Sequence, residues 1–246
     1  MSIIKKHIAG IEAAFKDIPT TWDGKSAIIE MKEAGCPHWR QMEWIGFYFQ
    51  FLCEQKLKGL FEFQKPKYGN ASFDGLFHIP FDFKAHAINT SSHTIIVNDR
   101  EAIEHALRDY GAVGLLIAVG DVVYNDEDRS FQKWHDEAKG KPSKYVLGNR
   151  ERGAWSRLRK HSMALRQITV IELTEATLVK CGSFQTNFRN SDGSARRAKV
   201  SVDLEKLRSE TIHCINFDPQ NHTAGVPPIM STINVNPNGV EHGFSR

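Results

Sequence analysis

The stretch SFDGLFHIPFDFKAH, residues 72–86, decides the fold and places three charged residues in an otherwise apolar run. Side chains alternate between the two faces of a strand, so Asp82 and Lys84 are expected on one face, with His86 next in line. A very short turn in the middle of the stretch returns the chain and places Asp74 opposite Asp82 on the neighbouring strand. The sequence therefore predicts a β-hairpin that brings two carboxylates and one ammonium group together.

Bulky apolar residues surround these charges and must themselves be buried: Phe73, Leu76, Phe77, Phe81 and Phe83. A charge in such surroundings is costly unless it is paired or bound to a metal. Two close carboxylates repel each other and raise one pKa unless a cation lies between them, and oxygen ligands suit Mg²⁺ or Mn²⁺. We therefore expect a divalent metal site. The alternative is a weak surface ion pair between Asp82 and Lys84.

The neighbouring segments predict the elements around this hairpin. Residues 39–57 are apolar nearly all round, which indicates a largely buried helix. Residues 60–66 alternate like a strand, and residues 100–110 have the spacing of an amphipathic helix. Residues 113–124 are apolar enough for a strand covered on both faces. The predicted order is helix, three strands, helix, strand.

Beyond residue 125 the pattern loosens, and basic residues become frequent. Residues 150–167 predict a basic amphipathic helix in which Arg152, Arg159 and Arg166 form one stripe suited to phosphates. A later hairpin, tipped by Ser-Asp-Gly-Ser, carries side chains of types that read guanine and adenine edges: Arg189, Asn190, Arg196 and Arg197. A solvated helix face and a plain surface hairpin are the respective alternatives. Residues 125–145 are a further candidate recognition loop.

Composition limits the classes of function. The chain has 246 residues, 41% of them apolar, and a formal net charge of +3, which fits one packed domain over 1–246 without a general polyanion-binding surface. Four scattered cysteines without a CxxC pair, and the lack of a membrane-length apolar run, predict a cytoplasmic protein with no membrane partner. No HExxH, GxSxG, GxxxxGK[ST] or GxGxxG motif occurs.

An acidic residue on one hairpin strand, Asp-x-Lys on the next, a preceding helix with a glutamate, and a following helix and buried strand resemble the PD-(D/E)xK nuclease superfamily. Most type II restriction endonucleases belong to it. The resemblance covers about residues 40–124, with a phenylalanine in place of the nominal proline, and the motif reads Phe73-Asp74, then Asp82-Phe83-Lys84.

This resemblance implies an α/β fold with a mixed central β-sheet flanked by helices and a restriction-endonuclease-like αβββαβ core. In that interpretation the catalytic core spans about 40–124 and C-terminal elaborations over about 125–210 contact DNA. The Asn-, Pro- and Gly-rich segment over about 215–246 is an irregular tail.

The resemblance further implies a Mg²⁺-dependent endonuclease, most simply a sequence-specific type II restriction enzyme that cuts double-stranded DNA to give 5′-phosphate and 3′-hydroxyl ends. Asp74, Asp82 and the Phe83 carbonyl would hold the metal, for which Mn²⁺ would substitute. Lys84 would position the attacking water or stabilise the pentavalent phosphorus centre.

Members of this superfamily often add a glutamate from the first helix. Glu43 is the first candidate and Glu54 the second, with an exposed helix carboxylate as the alternative for either. A companion DNA methyltransferase is expected in the same system, and a homodimer is left open. The alternative functions are a repair or junction nuclease of the same superfamily and a non-catalytic nucleic-acid-binding α/β protein.

Overall fold

The computed structural model describes residues 2, 4–63, 73–124, 128–142, 144–154, 157–186, 189 and 193–217. Its helices are α1 Ile8–Ala14, α2 Gly24–Glu33, α3 Trp44–Lys56, α4 Arg100–Tyr110, α5 Ser130–Ala138, α6 Lys144–Glu151, α7 Glu175–Cys181 and α8 Leu204–Leu207. Its strands are β1 Thr21–Asp23, β2 Gly75–Phe77, β3 Ile79–Ala87, β4 Thr94–Asp99, β5 Val113–Tyr124, β6 Lys160–Leu173, β7 Gly182–Gln185, β8 Lys199–Asp203 and β9 Thr211–Asn216. Short 3₁₀ turns lie at Ile4–His7, Pro37–Arg40 and Arg208–Glu210.

The central sheet is mixed. Its strand order is β1-β6-β5-β3-β2, and β9 also pairs with β6. β3 and β5 run parallel, whereas the other neighbouring pairs are antiparallel. Parallel neighbours need a crossover connection, and α4 lies in the connection between β3 and β5. The predicted mixed sheet flanked by helices is confirmed.

The helix, three strands, helix, strand order is also observed, with one strand assigned differently. Within residues 61–63, Glu62 forms only an isolated bridge with Leu76, and residues 64–66 lie outside the described part of the chain. The third strand is instead β4, which pairs with β8 in a separate sheet of order β4-β8-β7. The strand that leads into α4 therefore belongs to a second layer.

The β2–β3 hairpin turns at His78, whose φ is 58°. This left-handed conformation lets a single residue reverse the chain. Gly75 pairs with Phe81, so that Asp74 comes opposite Asp82 in the same register. This is the pairing that the sequence predicts.

The central sheet is buried on both faces. The helical layer of α1, α2 and α3 covers one face, where large side chains from the helices and the strands pack together: Trp22, Trp44, Phe49, Phe81 and Phe83. The other face packs against α4 and the small sheet through aliphatic residues: Ile103, Leu115, Ile117, Leu173 and Val202. β5 contributes to both cores, as its uninterrupted apolar run predicts.

The predicted basic helix over 150–167 is wrong. α6 ends before Gly153, whose φ is 65°, and the long strand β6 follows. A β-bulge at Arg166 shifts the phase of the alternation in β6. As a result, residues separated by two, three and two positions face the same core: Met163, Leu165, Ile168 and Val170. The spacing of these apolar residues along the bulged strand therefore resembles the spacing on one face of a helix.

Two other predictions for the second half of the chain have different outcomes. Residues 125–145 include the packed helix α5, where His135 is buried and its Nε2 lies 2.9 Å from the Trp39 carbonyl oxygen, so this segment is not an open loop. The predicted hairpin is present, because β7 pairs with β8 and Arg189 bridges Ala195. The predicted tail lies outside the described residues from 218 onward.

None of the described helices is both long enough and apolar enough to cross a membrane.

The contact between β3 and β5 leaves no space for an added methyl group, and a substitution can test this. A Cβ added at Gly114 would lie 2.3 Å from the Phe81 ring, which is fully buried. We expect Gly114→Ala to lower the free energy of unfolding by about 1–3 kcal/mol, the usual effect of overpacking a core. Gly46→Ala in α3, with nothing within 4 Å of the added atom, is the control and should raise stability by up to about 1 kcal/mol. Urea denaturation measures both, and a fully stable Gly114→Ala protein would contradict this packing.

Candidate active site

β3 presents the candidate site on the face turned away from the helical layer. Phe81 and Phe83 bury their rings against α3 and its neighbours. Because side chains alternate along a strand, Asp82, Lys84 and His86 project from the opposite face. Asp82 is only 2% exposed there. The local sequence thus forces a carboxylate into the interior of the protein.

Asp74 is fixed to β3 by two hydrogen bonds. Its backbone N–H donates to the Phe81 carbonyl at 2.9 Å, and its Oδ2 accepts from the Phe83 N–H at 2.7 Å. The N–H and C=O of one strand residue point to the same side of the strand. The Phe83 carbonyl is therefore directed to the same edge of β3 as Asp74.

The carboxylate of Asp82 has only partial compensation. Nδ2 of Asn98 donates to its Oδ1 at 3.3 Å, and the Lys84 Nζ lies 3.6 Å from its Oδ2, beyond hydrogen-bond reach. Among the described residues this buried Oδ2 has no hydrogen-bond partner. Burial raises the pKa of Asp82 to about 7, with the Lys84 ammonium acting against this shift and the Asp74 charge adding to it.

The pKa of Asp74 is shifted in the same direction. Burial raises it, while the Lys84 ammonium and the hydrogen bond from Phe83 act to lower it. Two partly desolvated carboxyls therefore share one lysine. A second cation at this position would compensate the remaining charge.

Glu43 is not brought to these carboxylates. It precedes α3, is exposed, and its Oε2 lies 3.2 Å from the Lys160 Nζ. Glu54 lies eleven residues further along the helix, about 16 Å away at 1.5 Å per residue. Burial raises the pKa of Glu54, and the negative charge of Asp74 adds to the shift. The helix carboxylate close to the site is therefore Glu54, the second candidate from sequence.

Two residues near the site were not predicted to belong to it. Asn98, near the end of β4, donates to Asp82. His38 stacks on Phe47 with ring centroids 4.8 Å apart, and its charge acts to lower the pKa of Asp74. Neither has a spacing in the sequence that relates it to the hairpin, so no local signal could have found them.

The predicted arginine stripe does not exist. Arg152 follows α6 and donates to Asn149 Oδ1 at 2.7 Å. Arg159 is buried, and Arg166 lies in the bulge of β6, where its Nε donates to Asp121 Oδ2 at 2.7 Å. The three side chains occupy a turn, an irregular segment and a strand, so they share no helical face.

The base of the β7–β8 hairpin lies next to the site. The Arg197 Nη1 is 3.7 Å from Asp99 Oδ2, and Lys199 forms an ion pair with the same carboxylate. Asp99 directly follows Asn98, the donor to Asp82. Arg189 and Arg196 are exposed further along the hairpin, and Asn190 lies outside the described residues.

A cleft of about 520 Å³ lies between the central sheet and α8. It begins at His86, two residues beyond Lys84 on the same face of β3. Burial lowers the pKa of His86, and the nearby His93 and Lys160 add to this shift. Polar side chains along the cleft include His93, Gln167, Thr169, Glu205 and Arg208.

Within the part of the chain that the structure describes, no three His, Cys, Asp or Glu side chains group closely enough to hold a metal ion by themselves. Mg²⁺ commonly uses one or two carboxylates and takes its other ligands from water and substrate phosphate. Asp74, the Phe83 carbonyl and Asp82, whose Oδ2 accepts no hydrogen bond from the described residues, fit that smaller ligand set.

No family model matches the chain, and no curated protein matches it. A solved structure of the restriction endonuclease BglI bound to its DNA recognition sequence is 10% identical, with 87% of each chain covered and a TM-score of 0.35. The likeness is too weak to assign the chain to a family.

The buried carboxyl of Asp82 predicts a specific pH dependence in metal-free buffer. Its folded pKa of about 7 lies above an unfolded value of about 3.9, so the folded state binds the proton more tightly. The contribution of Asp82 to the free energy of unfolding should therefore be fully present below about pH 4 and be lost as the pH rises through about 7. Urea denaturation in EDTA at pH 5 and pH 8 should show a smaller fall for Asp82→Asn than for wild type.

Asp109→Asn, which alters an exposed carboxylate on α4, is the control and should retain the wild-type pH dependence. An equal fall in wild type and Asp82→Asn would show that Asp82 is ionised at both pH values.

Proposed function

We propose that this protein is a Mg²⁺-dependent endonuclease that hydrolyses phosphodiester bonds of double-stranded DNA. The observation that carries the proposal is the buried Asp82, which faces Asp74 and Lys84 while its Oδ2 has no hydrogen-bond partner among the described residues. A buried carboxylate in this position is strongly stabilised when a positive charge binds beside it. A divalent cation and a substrate phosphate would together complete the site.

Asp74, Asp82 and the Phe83 carbonyl are the residues that would hold the metal, with Glu54 as a further carboxylate near Asp74. When bound, the metal would lower the pKa of a coordinated water and neutralise charge on the phosphate. Mn²⁺ would substitute because it accepts the same oxygen ligands. The two hydrogen bonds that fix Asp74 to β3 keep these oxygen atoms at one edge of the strand.

On this face of β3, Lys84 supplies a positive charge from the protein itself. Its side chain is 25% exposed, so the Nζ reaches both the buried Asp82 and the solvent from which a phosphate would approach. The Nζ can donate to the attacking water or to a non-bridging phosphate oxygen, where it stabilises the negative charge that develops. This dual access favours Lys84 as a catalytic residue rather than only a structural partner.

The route of the DNA is proposed from the charges next to this site. The basic β7–β8 hairpin lies beside the β4–α4 junction, and the cleft from His86 to Arg208 extends along the same face. The hairpin would contact the duplex, and its arginines would read base edges. In finer detail we propose a type II restriction enzyme that leaves 5′-phosphate and 3′-hydroxyl ends and acts beside a companion methyltransferase.

Cleavage of plasmid DNA in Mg²⁺ tests the proposal. Alanine at Asp74, Asp82 or Lys84 should each reduce the cleavage rate at least about a hundredfold, the usual effect of losing a metal or transition-state contact. Glu54→Gln should slow cleavage by at least about tenfold. Glu43→Gln, at the residue that precedes the same helix, is the matched control and should cut at the wild-type rate.

Discrete fragments would identify a sequence-specific enzyme, whereas cuts only at junctions or lesions would favour a repair nuclease. If the folded wild-type protein cuts no DNA in Mg²⁺ or Mn²⁺, or if Lys84→Ala cuts normally, the proposed catalytic role is wrong.

A further inference from the structure

A continuous chain of polar contacts joins the basic hairpin to Asp82. Asn98 donates to Asp82 Oδ1 at 3.3 Å, and its own Oδ1 accepts from the Asp99 N–H at 2.8 Å. The Asp99 carboxylate in turn pairs with Lys199 and with Arg197. The links are hydrogen bonds and ion pairs, and they meet at Asp99, which contributes its backbone N–H to one side and its carboxylate to the other.

The Asp99 side chain does not make the hydrogen bonds expected from its position at the start of α4. It is the N-cap residue of α4, where an aspartate ordinarily accepts hydrogen bonds from the first turn, yet its side chain makes no capping bond. The buried carboxylate is directed to the two cations at the base of the hairpin instead. The backbone is held there as well, because the Arg100 N–H donates to the Ala198 carbonyl at 2.8 Å.

The amide of Asn98 depends on this arrangement. A carboxamide can rotate to exchange its oxygen and nitrogen atoms, and its Oδ1 is kept in place by the Asp99 N–H. If Asp99 lost its cations, its carboxylate would gain by turning back to cap the first turn of α4. Together with the hydrogen bond from Arg100 to Ala198, the ion pairs hold the Asp99 backbone against β8. Their loss would therefore also loosen the Asp99 N–H that keeps the Asn98 side chain in place.

We infer that Asn98 is a positioning residue for Asp82 and that Asp99, through its ion pairs with Arg197 and Lys199, makes this positioning depend on the basic hairpin. The inference rests on the proposed function only for the role of Asp82 as a metal ligand. Contact of Arg197 with a DNA phosphate would then change its ion pair with Asp99. Because that ion pair helps to position Asp82, DNA binding would be coupled to catalysis.

Calorimetric titration with Mn²⁺ tests this chain of contacts. Removing an outer-shell partner of a metal ligand typically weakens metal affinity by about 10–100-fold. Asn98→Ala and Lys199→Met should each weaken Mn²⁺ binding at least about tenfold. Lys180→Met is the control, since Lys180 pairs with Glu210 in the same layer and should bind Mn²⁺ like wild type.

The double variant Asn98→Ala/Lys199→Met distinguishes one chain from two separate effects. If Lys199 acts through Asn98, the double variant should bind Mn²⁺ no more weakly than the weaker of the two single variants. If the two losses multiply, the residues act independently and the inference is wrong.

A second measurement needs no metal and no activity. The side-chain amide of Asn98 gives a ¹⁵N–¹H resonance pair in EDTA, which is assigned by its loss in Asn98→Ala. Lys199→Met should shift this pair, and Lys180→Met should leave it unchanged. An unshifted resonance in Lys199→Met would overturn the inference, even if Mn²⁺ binds the wild-type protein as expected. If wild type binds no Mn²⁺, the proposed function fails and the amide resonance alone decides the inference.

Discussion

The burial of one carboxylate constrains this whole region of the protein. Asp82 lies on β3 between two core phenylalanines that fill the space against α3, so it cannot turn toward solvent without moving those rings. Among the described residues, its surroundings include the Lys84 ammonium, the Asn98 amide and the Asp74 carboxylate. Because an isolated buried charge is so unfavourable, the site either keeps a proton near neutral pH or takes up a cation.

The fold was predictable wherever a local pattern is undisturbed. The alternation around residue 82, the amphipathic spacing of α4 and the apolar run of β5 each specify one element by themselves. The basic segment 150–167, which includes the first half of β6, was not predictable, because the bulge at Arg166 breaks the strand period and leaves a spacing close to that of a helix. The departure of β4 into a second sheet depends on its pairing with the distant β8, which no local signal encodes.

The residues of the candidate site also divide into those that the local sequence predicts and those that it does not. Asp74, Asp82 and Lys84 come together through a hairpin of short range, so their proximity follows from register alone. The choice between Glu43 and Glu54 depends on which end of α3 lies near Asp74, and the role of Asn98 depends on how β4 packs beside β3. Arg197 is predicted by its residue type to contact DNA, and its ion pair with Asp99 places it in the network around Asp82.

The ionisation of Asp82 with and without metal tests the central claim most directly. The ¹³C shift of its carboxyl carbon, assigned by comparison with Asp82→Asn, can be followed from pH 4 to 9. In EDTA the carboxyl should titrate with a pKa of about 7. Saturating Mg²⁺ favours the charged form and should move the titration at least about one pH unit lower. A carboxyl already ionised at pH 5 in EDTA, or a titration that Mg²⁺ leaves unchanged, would contradict the claim that Asp82 keeps a proton near neutral pH unless a cation binds beside it.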